Sequence, residues 1–452
     1  MARSEGLSGD PIVPPAIAAE AEAESADDPT AAVIDVPPEI AAQSLGQYLR
    51  AWLSRARNGD AGILPVVIAL VAVMVAFTVV SPNNVFLSPR NLVNLFDQSA
   101  VFIVLAFAQG FVLLLGEIDL SIGYVAAIGG IVAATLVQPD LGLPWWVAMI
   151  AAVVACGAIG AIHGLIITRL GIPAFVVTLA GYLFWFGVMI IILGPAGGVG
   201  ITNPLHVNEA VLYGIVYAYI DPLVSWIGLA VIVALVGGTL WIRDSGRRRS
   251  GLVAPPVGLT IAKIIAIAAA GIVVVGICNV NRGTFLPIIG VPWVVPLVLV
   301  VLAVWTLLLE RTAFGRHMYA VGGNAEAARR AGISVPGVRT LAFVLCSATA
   351  GIAGIIYCSQ LGGMTTNING GQLVLYAVAA AVIGGTSLFG GRGRVIHGLL
   401  GGLVIGAIYN GLYLLGLPIQ YQLIATGLVL LAAVSVDSLS RKGAGSGSSA
   451  RT

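Results

Sequence analysis

From residue 61 to residue 437 the chain is a succession of apolar stretches, and no other feature constrains its fold as strongly. A helix needs about 20 apolar residues to cross the hydrocarbon core of a bilayer. Twelve stretches are candidates: 61–80, 99–115, 119–136, 145–168, 174–194, 223–242, 257–279, 291–309, 340–358, 371–388, 395–415 and 419–437. Only 9% of the residues are charged, against about 25% in a soluble domain. The expected fold is an all-α polytopic membrane protein with 10–12 transmembrane helices. The second and third stretches are short and separated only by GEIDLSIG, and the tenth, 371–388, is rich in Ala and Gly and could be re-entrant. Broken segments are expected at both places.

The first 60 residues differ from everything after them. They hold ten acids and four arginines, and Ala, Glu and Pro dominate as far as Ile40. Residues 1–40 cannot bury a core and are expected to form a disordered acidic tail. They lack the basic start and apolar run of a signal peptide. In 41–60, Leu45, Tyr48, Leu49 and Leu53 recur at helical spacing beside basic residues, which predicts an amphipathic helix on the inner membrane surface. The transmembrane domain then covers 61–438, and 439–452 reads as a flexible polar tail.

Charge orients the spans. With the N-terminus inside and the spans alternating, 18 of the 22 basic residues fall in inner loops, and only Arg90 and Arg282 fall outside. Arg3 and Arg451 lie in remote tails. The positive-inside rule is met, which places both termini in the cytoplasm.

Much chemistry is missing. The four cysteines, Cys156, Cys278, Cys346 and Cys358, lie in or beside apolar stretches without metal-ligand spacing. The only lysines, Lys263 and Lys442, follow no glycine, so a P-loop is excluded. No catalytic constellation is present. The chain reads as neither an enzyme nor a cofactor or metal protein, and if ATP drives it, another chain hydrolyses the nucleotide.

The longest polar segment between spans is 310–340. Asn324 can cap a short helix, AEAARRAG, that Gly332 stops. This segment is either an ordinary basic loop or a coupling helix, a short rod seated in a soluble motor, with Glu326, Ala328, Arg329 and Arg330 as its working residues. Pro336 and Gly337 are expected to turn the chain back.

GEIDLSIG, 116–123, puts two acids into an apolar run. A charge in the bilayer centre costs ~3 kcal/mol or more. The pair is tolerable where the backbone breaks and polar groups gather. Gly116 can end one helix, while Asp119 and Ser121 can cap the next. Glu117 and Asp119 then serve a helix break, or touch the substrate or a moving gate. GGTSLFGGRGR, 384–394, is either a tight inner turn or part of an inner gate. Gln109, Thr178, Tyr182, Gln372, Tyr376 and Asn410 are candidate pathway residues; each also reads as an ordinary helix–helix hydrogen bond. The segments 195–210 and 359–371 are expected outside, as connecting loops or as contacts for a binding protein.

Several of these segments together resemble one family. GEIDLSIG, GIPAFVVTLAGYLFWFGV at 171–188, FGRHMYAVGGNAEAARRAGI at 314–333, AAVIGGTSLFGGRGRVIHGLLGGLVIG at 380–406 and YNGLYLLG at 409–416 are similar, in order, to motifs of the branched-chain-amino-acid and ribose-type permeases of ABC importers. Glu326-Ala327-Ala328 followed by Gly332 matches their EAA…G loop, although Ser334-Val335-Pro336 arrives early for its distal part. The extra stretch around 222–289 and the N-terminal extension resemble the D-xylose branch. The resemblance implies an inverted-repeat-like permease core that carries a monosaccharide, D-xylose or a related pentose, across the bacterial plasma membrane. It implies as partners an ABC ATPase subunit that binds the ATP, an extracytoplasmic sugar-binding protein and a second permease copy. Two alternatives stay open. One is a branched-chain amino acid permease of the same superfamily. The other is an ion-coupled carrier with proton or sodium sites at Glu117 and Asp119.

Overall fold

The computed structural model describes residues 64–431, apart from 195–204, 208, 252–253, 426 and 429–430; Gly46 and Gly62 are described singly. The expected acidic tail, amphipathic helix and C-terminal tail lie outside the described residues. So does about half of the stretch 419–437, which begins as helix at Ile419.

Fourteen helices follow in order among the described residues: α1 (Leu64–Val80), α2 (Pro89–Leu113), α3 (Ile122–Leu136), α4 (Trp145–Leu170), α5 (Ala174–Leu193), α6 (Ala210–Tyr217), α7 (Pro222–Arg249), α8 (Val257–Cys278), α9 (Val294–Arg311), α10 (Ala313–Gly323), α11 (Ala325–Arg330), α12 (Val335–Leu361), α13 (Gly370–Ile383) and α14 (Val395–Leu414). Two antiparallel pairs of two-residue strands join them, β1 (Leu205–His206) with β4 (Gly363–Met364) and β2 (Tyr219–Ile220) with β3 (Val291–Pro292). Eight helices are long and apolar enough to cross a membrane, and α1, α3 and α13 are shorter apolar helices. The protein is an all-α polytopic membrane protein.

Two long helices form the centre. α12 packs on α4, α3 and α2, and α14 packs on α2. Small residues let the backbones approach, as expected where lipid supplies no hydrophobic drive. Gly160 and Gly164 of α4 face Phe343 and Thr340 of α12, and Gly129 of α3 faces Gly351.

Boundaries differ from the apolar pattern where polar residues are satisfied internally. α2 starts at Pro89, ten residues before its apolar stretch, so it is a full span and not a short one. Ser88 caps it by accepting the Asn91 N–H at 3.3 Å. Asn91 is buried and donates to the Phe86 carbonyl and to Asn410, both at 2.9 Å. α12 starts at Val335, where Ser334 accepts the Gly337 N–H at 3.4 Å. Pro336 does not turn the chain back; it sits in the first helical turn, where its missing N–H costs nothing.

The chain breaks twice on one plan. After α2, Gly116 adopts φ 76° and a non-helical segment leads to α3. After α12, Gly362 adopts φ 67° and a non-helical segment leads to α13. α3 has 15 residues and α13 has 14, each about 22 Å long, too short for a core of about 30 Å. Their first turns meet: a Cβ on Gly123 would overlap the Gly370 carbonyl, and one on Gly370 would lie 2.7 Å from the Tyr124 ring. From that meeting the helices run to opposite faces. α3 ends near β1, where Gln138 donates to the His206 carbonyl at 2.9 Å. α13 ends at the turn 384–394, beside α10. The stretch 371–388 is therefore a half-helix entered from the face that bears β4. Much of 359–371 is buried rather than an exposed loop, with Met364, Thr366 and Ile368 each at most 5% exposed.

Candidate functional site

The first break is held by polar groups from four helices. Gln109 of α2 clasps the Asp119 backbone, donating to its carbonyl at 3.3 Å and accepting from its N–H at 3.1 Å. The Thr178 hydroxyl of α5 shares its one proton between the Ala174 carbonyl at 2.9 Å in its own helix and the Ile118 carbonyl at 3.3 Å. Asp119 Oδ1 accepts the Ser121 N–H at 2.8 Å and the Ser121 hydroxyl at 2.6 Å, and Oδ2 lies 3.8 Å from Cys346 Sγ on α12. Asp119 is fully buried. Its charge sits at the positive end of α3, where a carboxylate is stabilised.

A hydrogen-bonded chain continues from there into α4 and α5. Trp185 Nε1 donates to His163 Nε2 at 3.3 Å, and His163 Nδ1 lies 3.4 Å from Ser121 Oγ. Since Trp185 can only donate, this order puts the ring proton on Nδ1. Ser121 then receives from His163 and gives its own proton to Asp119.

Glu117 pairs with Arg339 in the second turn of α12. Its Oε2 is buried without a hydrogen-bond partner. The ion pair joins the break to the helix that follows the polar loop.

That loop carries α10 and α11. Asn324 caps α11 by accepting the Ala327 N–H at 2.9 Å. Glu326 bridges Arg329 at 3.0 Å and Arg330 at 3.3 Å on the exposed side, while Ala328 is buried. Gly332, at φ 82°, closes the turn. α10 lies against the end of α2 and the turn 384–394. The Gly391 N–H donates to the Leu114 carbonyl at 2.9 Å, and Gly322 packs on that same carbonyl. Tyr319 donates to the Gly393 carbonyl at 2.7 Å. Burial, with the Glu310 charge adding to it, raises the Tyr319 pKa, so the phenol stays protonated and able to donate. Arg394 holds Glu310 at 2.6 Å.

Beside the two half-helix starts lies a cleft of about 340 Å³. Leu120 from the first break, Leu179 and Tyr182 from α5, Asn369, Gly371, Gln372 and Leu375 from the start of α13, and Leu423 are among its lining residues. Its polar groups are a phenol and two amides, and among the described residues it presents no charge. Asn369 caps α13 by accepting the Gln372 N–H at 3.0 Å, and Gln372 donates to the Tyr376 hydroxyl at 2.7 Å.

The six candidate pathway residues therefore separate. Tyr182 and Gln372 line the cleft, and Tyr376 stands behind Gln372. Gln109 and Thr178 hold the first break. Asn410, on α14, is bonded to Asn91 and donates to Gln98 at 3.1 Å, remote from the cleft lining. Sequence reasoning missed Arg339, His163, Trp185 and Asn369. An arginine and a histidine inside or beside apolar stretches were the available signals; Trp185 and Asn369 carried none.

Comparison with known proteins agrees with this architecture. Residues 91–434 match the family model for the permease component of branched-chain amino acid transport systems. The xylose transport system permease protein XylH of Haemophilus influenzae is 34% identical over 83% of this chain and 96% of its own. XylH of Escherichia coli K12 is 33% identical over 84% and 92%. The ribose import permease protein RbsC of E. coli K12 is 31% identical over 86% and 95%. No solved structure matches the chain. A chain that matches the family model over most of its length, and that carries two broken helices meeting beside a polar cleft, belongs to the family of ABC permease components typified by the branched-chain amino acid transport systems.

Proposed function

We propose that this chain is the membrane-spanning subunit of an ATP-driven importer of a neutral monosaccharide, D-xylose or a related pentose. The observation that carries this reading is the uncharged cleft at the two half-helix starts. A sugar offers hydroxyls and no charge, which Tyr182, Asn369 and Gln372 can meet with hydrogen bonds. A free amino acid carries an ammonium and a carboxylate, and among the described residues the cleft has no charged side chain for either. The xylose and ribose names of the relatives support the same choice. The ion-coupled reading loses ground because Asp119 and Glu117 are already engaged, by Ser121 and by Arg339.

In this reading ATP is bound and hydrolysed by partner ATPase subunits at the cytoplasmic face, where both termini lie. A binding protein delivers sugar outside, and a second copy of the chain completes the permease. α11 is the coupling helix, with Asn324, Ala328 and Gly332 shaping it and Glu326, Arg329 and Arg330 facing the motor. Its displacement reaches α12, then Arg339 and Glu117, and through the first break the start of α3.

The test is uptake of radiolabelled xylose by vesicles holding this chain, with and without its genome-neighbour ATPase and binding protein. Uptake is expected only with the complete set and ATP. Charge reversal at Glu326, Arg329 and Arg330 together is expected to abolish it without loss of inserted protein. Uptake by the chain alone overturns the reading.

A further inference from the structure

The hairpin of α7 and α8 stands apart from the bundle. Only 11% of the apolar stretch of either helix is buried within the chain, against 83% for α2. Its apolar cluster with the bundle joins Val275 and Cys278, near the end of α8, to Val93 near the start of α2 and to Val291 of β3. All of these lie toward the face that bears the strands. Toward the other face the two helices hold mainly each other: Gly237 packs on Ile264, and the Thr260 hydroxyl donates to the buried Asp244 at 2.9 Å.

That end is strongly basic. Arg243, Arg247, Arg248, Arg249 and Lys263 gather there against one acid, Asp244. Asp244 is 1% exposed, and its carboxylate is taken by Thr260 and, at 3.2 Å, by Arg243 Nε. Arg248 lies over the Trp241 ring at 5.9 Å and donates to the Pro255 carbonyl at 2.8 Å, and its Nη2 is buried without a partner among the described residues. Arg247, Arg249 and Lys263 are exposed. Exposed Trp241 and Ile242 continue this end into lipid-facing surface. Basic clusters at the end of apolar helices attract anionic headgroups near the membrane surface.

We propose that the basic end of the α7–α8 hairpin is a binding site for an anionic phospholipid. The phosphate lies against Arg243 and Arg247, one turn apart on α7, with Lys263 of α8 beside them and Arg249 at the helix end adding to the positive field, and the acyl chains lie along the uncovered flank of α7. Charge complementarity selects the headgroup, and the uncovered apolar helices select a lipid over a soluble anion.

The test is native mass spectrometry of the purified full chain. Detergent-solubilised protein is titrated with phosphatidylglycerol, with phosphatidylcholine and with inorganic phosphate. The wild type is expected to retain phosphatidylglycerol at about tenfold lower concentration than phosphatidylcholine, the gain of one to two lipid-contacting cations. Replacing Arg243, Arg247, Arg249 and Lys263 by Gln is expected to erase that preference. Replacing Arg311, Arg316, Arg329 and Arg330 by Gln, an equal loss of charge on the loop segment, is expected to leave it. A Lys variant of the three arginines preserves the charge and so separates lost binding from a hairpin that fails to insert; it is expected to keep the preference. Equal retention of both lipids by the wild type, equal loss in both Gln variants, or a preference shown for phosphate alone overturns the proposal.

Discussion

Between Leu114 and Ser121 nearly every polar group is tied to another helix: Glu117 to Arg339, the Ile118 carbonyl to Thr178, the Asp119 backbone to Gln109, its side chain to Cys346, and Ser121 to His163. Between Gly362 and Asn369 the side-chain hydrogen bonds among the described residues stay local. Thr365 accepts the Asn367 N–H at 3.3 Å, Asn369 caps its own helix, and the Thr366 hydroxyl is buried without a partner. Among the described residues, the backbone pairing of β4 with β1 and the Val207 N–H, which donates to the Gly362 carbonyl at 3.2 Å, reach outward. The two breaks share a fold and differ in anchorage. A segment with few long-range bonds is cheaper to displace. Among the described residues the first break is thus the more firmly anchored of the two, and the second is expected to be the side of the cleft that yields.

The largest expected effect breaks the anchored side. Glu117→Leu leaves Arg339 without its partner. Losing one member of a fully buried pair costs about 3–5 kcal/mol. The Arg339 side chain keeps 30% exposure, so about 2–3 kcal/mol is expected as a fall in detergent melting temperature. Adding Arg339→Leu should return most of that stability while leaving uptake abolished, because the connection itself is gone. Additive losses in the double variant would mean that the pair carries no coupling.

The next effect falls where the breaks touch. Gly123→Ala drives a Cβ into the Gly370 carbonyl. Overpacking of this kind costs about 1–3 kcal/mol, and the half-helix starts must separate to relieve it. Uptake is expected to fall far more than melting temperature does. A variant with full uptake would show that the contact is not held during transport.

These two positions also show what was legible in the residues. The acids of GEIDLSIG stand out because charge in an apolar run demands a local reason, so the first break could be read from sequence. The second break carries no charge. The Ala- and Gly-rich stretch 371–388 marks it as a candidate re-entrant segment, but the Thr, Asn and Gly residues before it look like any outer loop, and the three-dimensional meeting of Gly123 with Gly370 shows where it enters the protein. The same contrast explains the helix boundaries. Asn91 and Asp97 interrupt the apolar pattern of α2, yet both are buried within the helix. Hydropathy counts side chains one at a time and cannot see the partners, such as Asn410, that make a polar one acceptable. Arg339 was visible only as one more inner cation until the fold placed it against Glu117.

A smaller effect compares equivalent positions directly. Asp119 receives two hydrogen bonds from Ser121 and sits in a network spanning three helices, whereas Asn369 receives one from its own first turn. Asn369→Ala should cost about 1 kcal/mol, the loss of an ordinary cap. Asp119→Ala should cost about 2–3 kcal/mol, because buried donors on Ser121 lose a charged acceptor. Equal losses in thermal denaturation would erase the distinction between an anchored and a yielding break.

The smallest structural effect carries the most direct functional reading. Gln372 lies on the first turn of α13, and its one side-chain bond is to Tyr376 one turn on. Alanine is the better helix former, so Gln372→Ala should leave melting within about 0.5 kcal/mol of the wild type. In the cleft, however, it removes an amide that a sugar hydroxyl can use, worth about 0.5–1.5 kcal/mol. Uptake at saturating binding protein is therefore expected to fall about two- to tenfold, with Tyr182→Phe behaving alike. The single Glu117 and Gly123 variants above lose stability as well as transport, whereas these two should lose transport alone. If both leave uptake untouched, the cleft does not meet the substrate, and the yielding break serves packing alone.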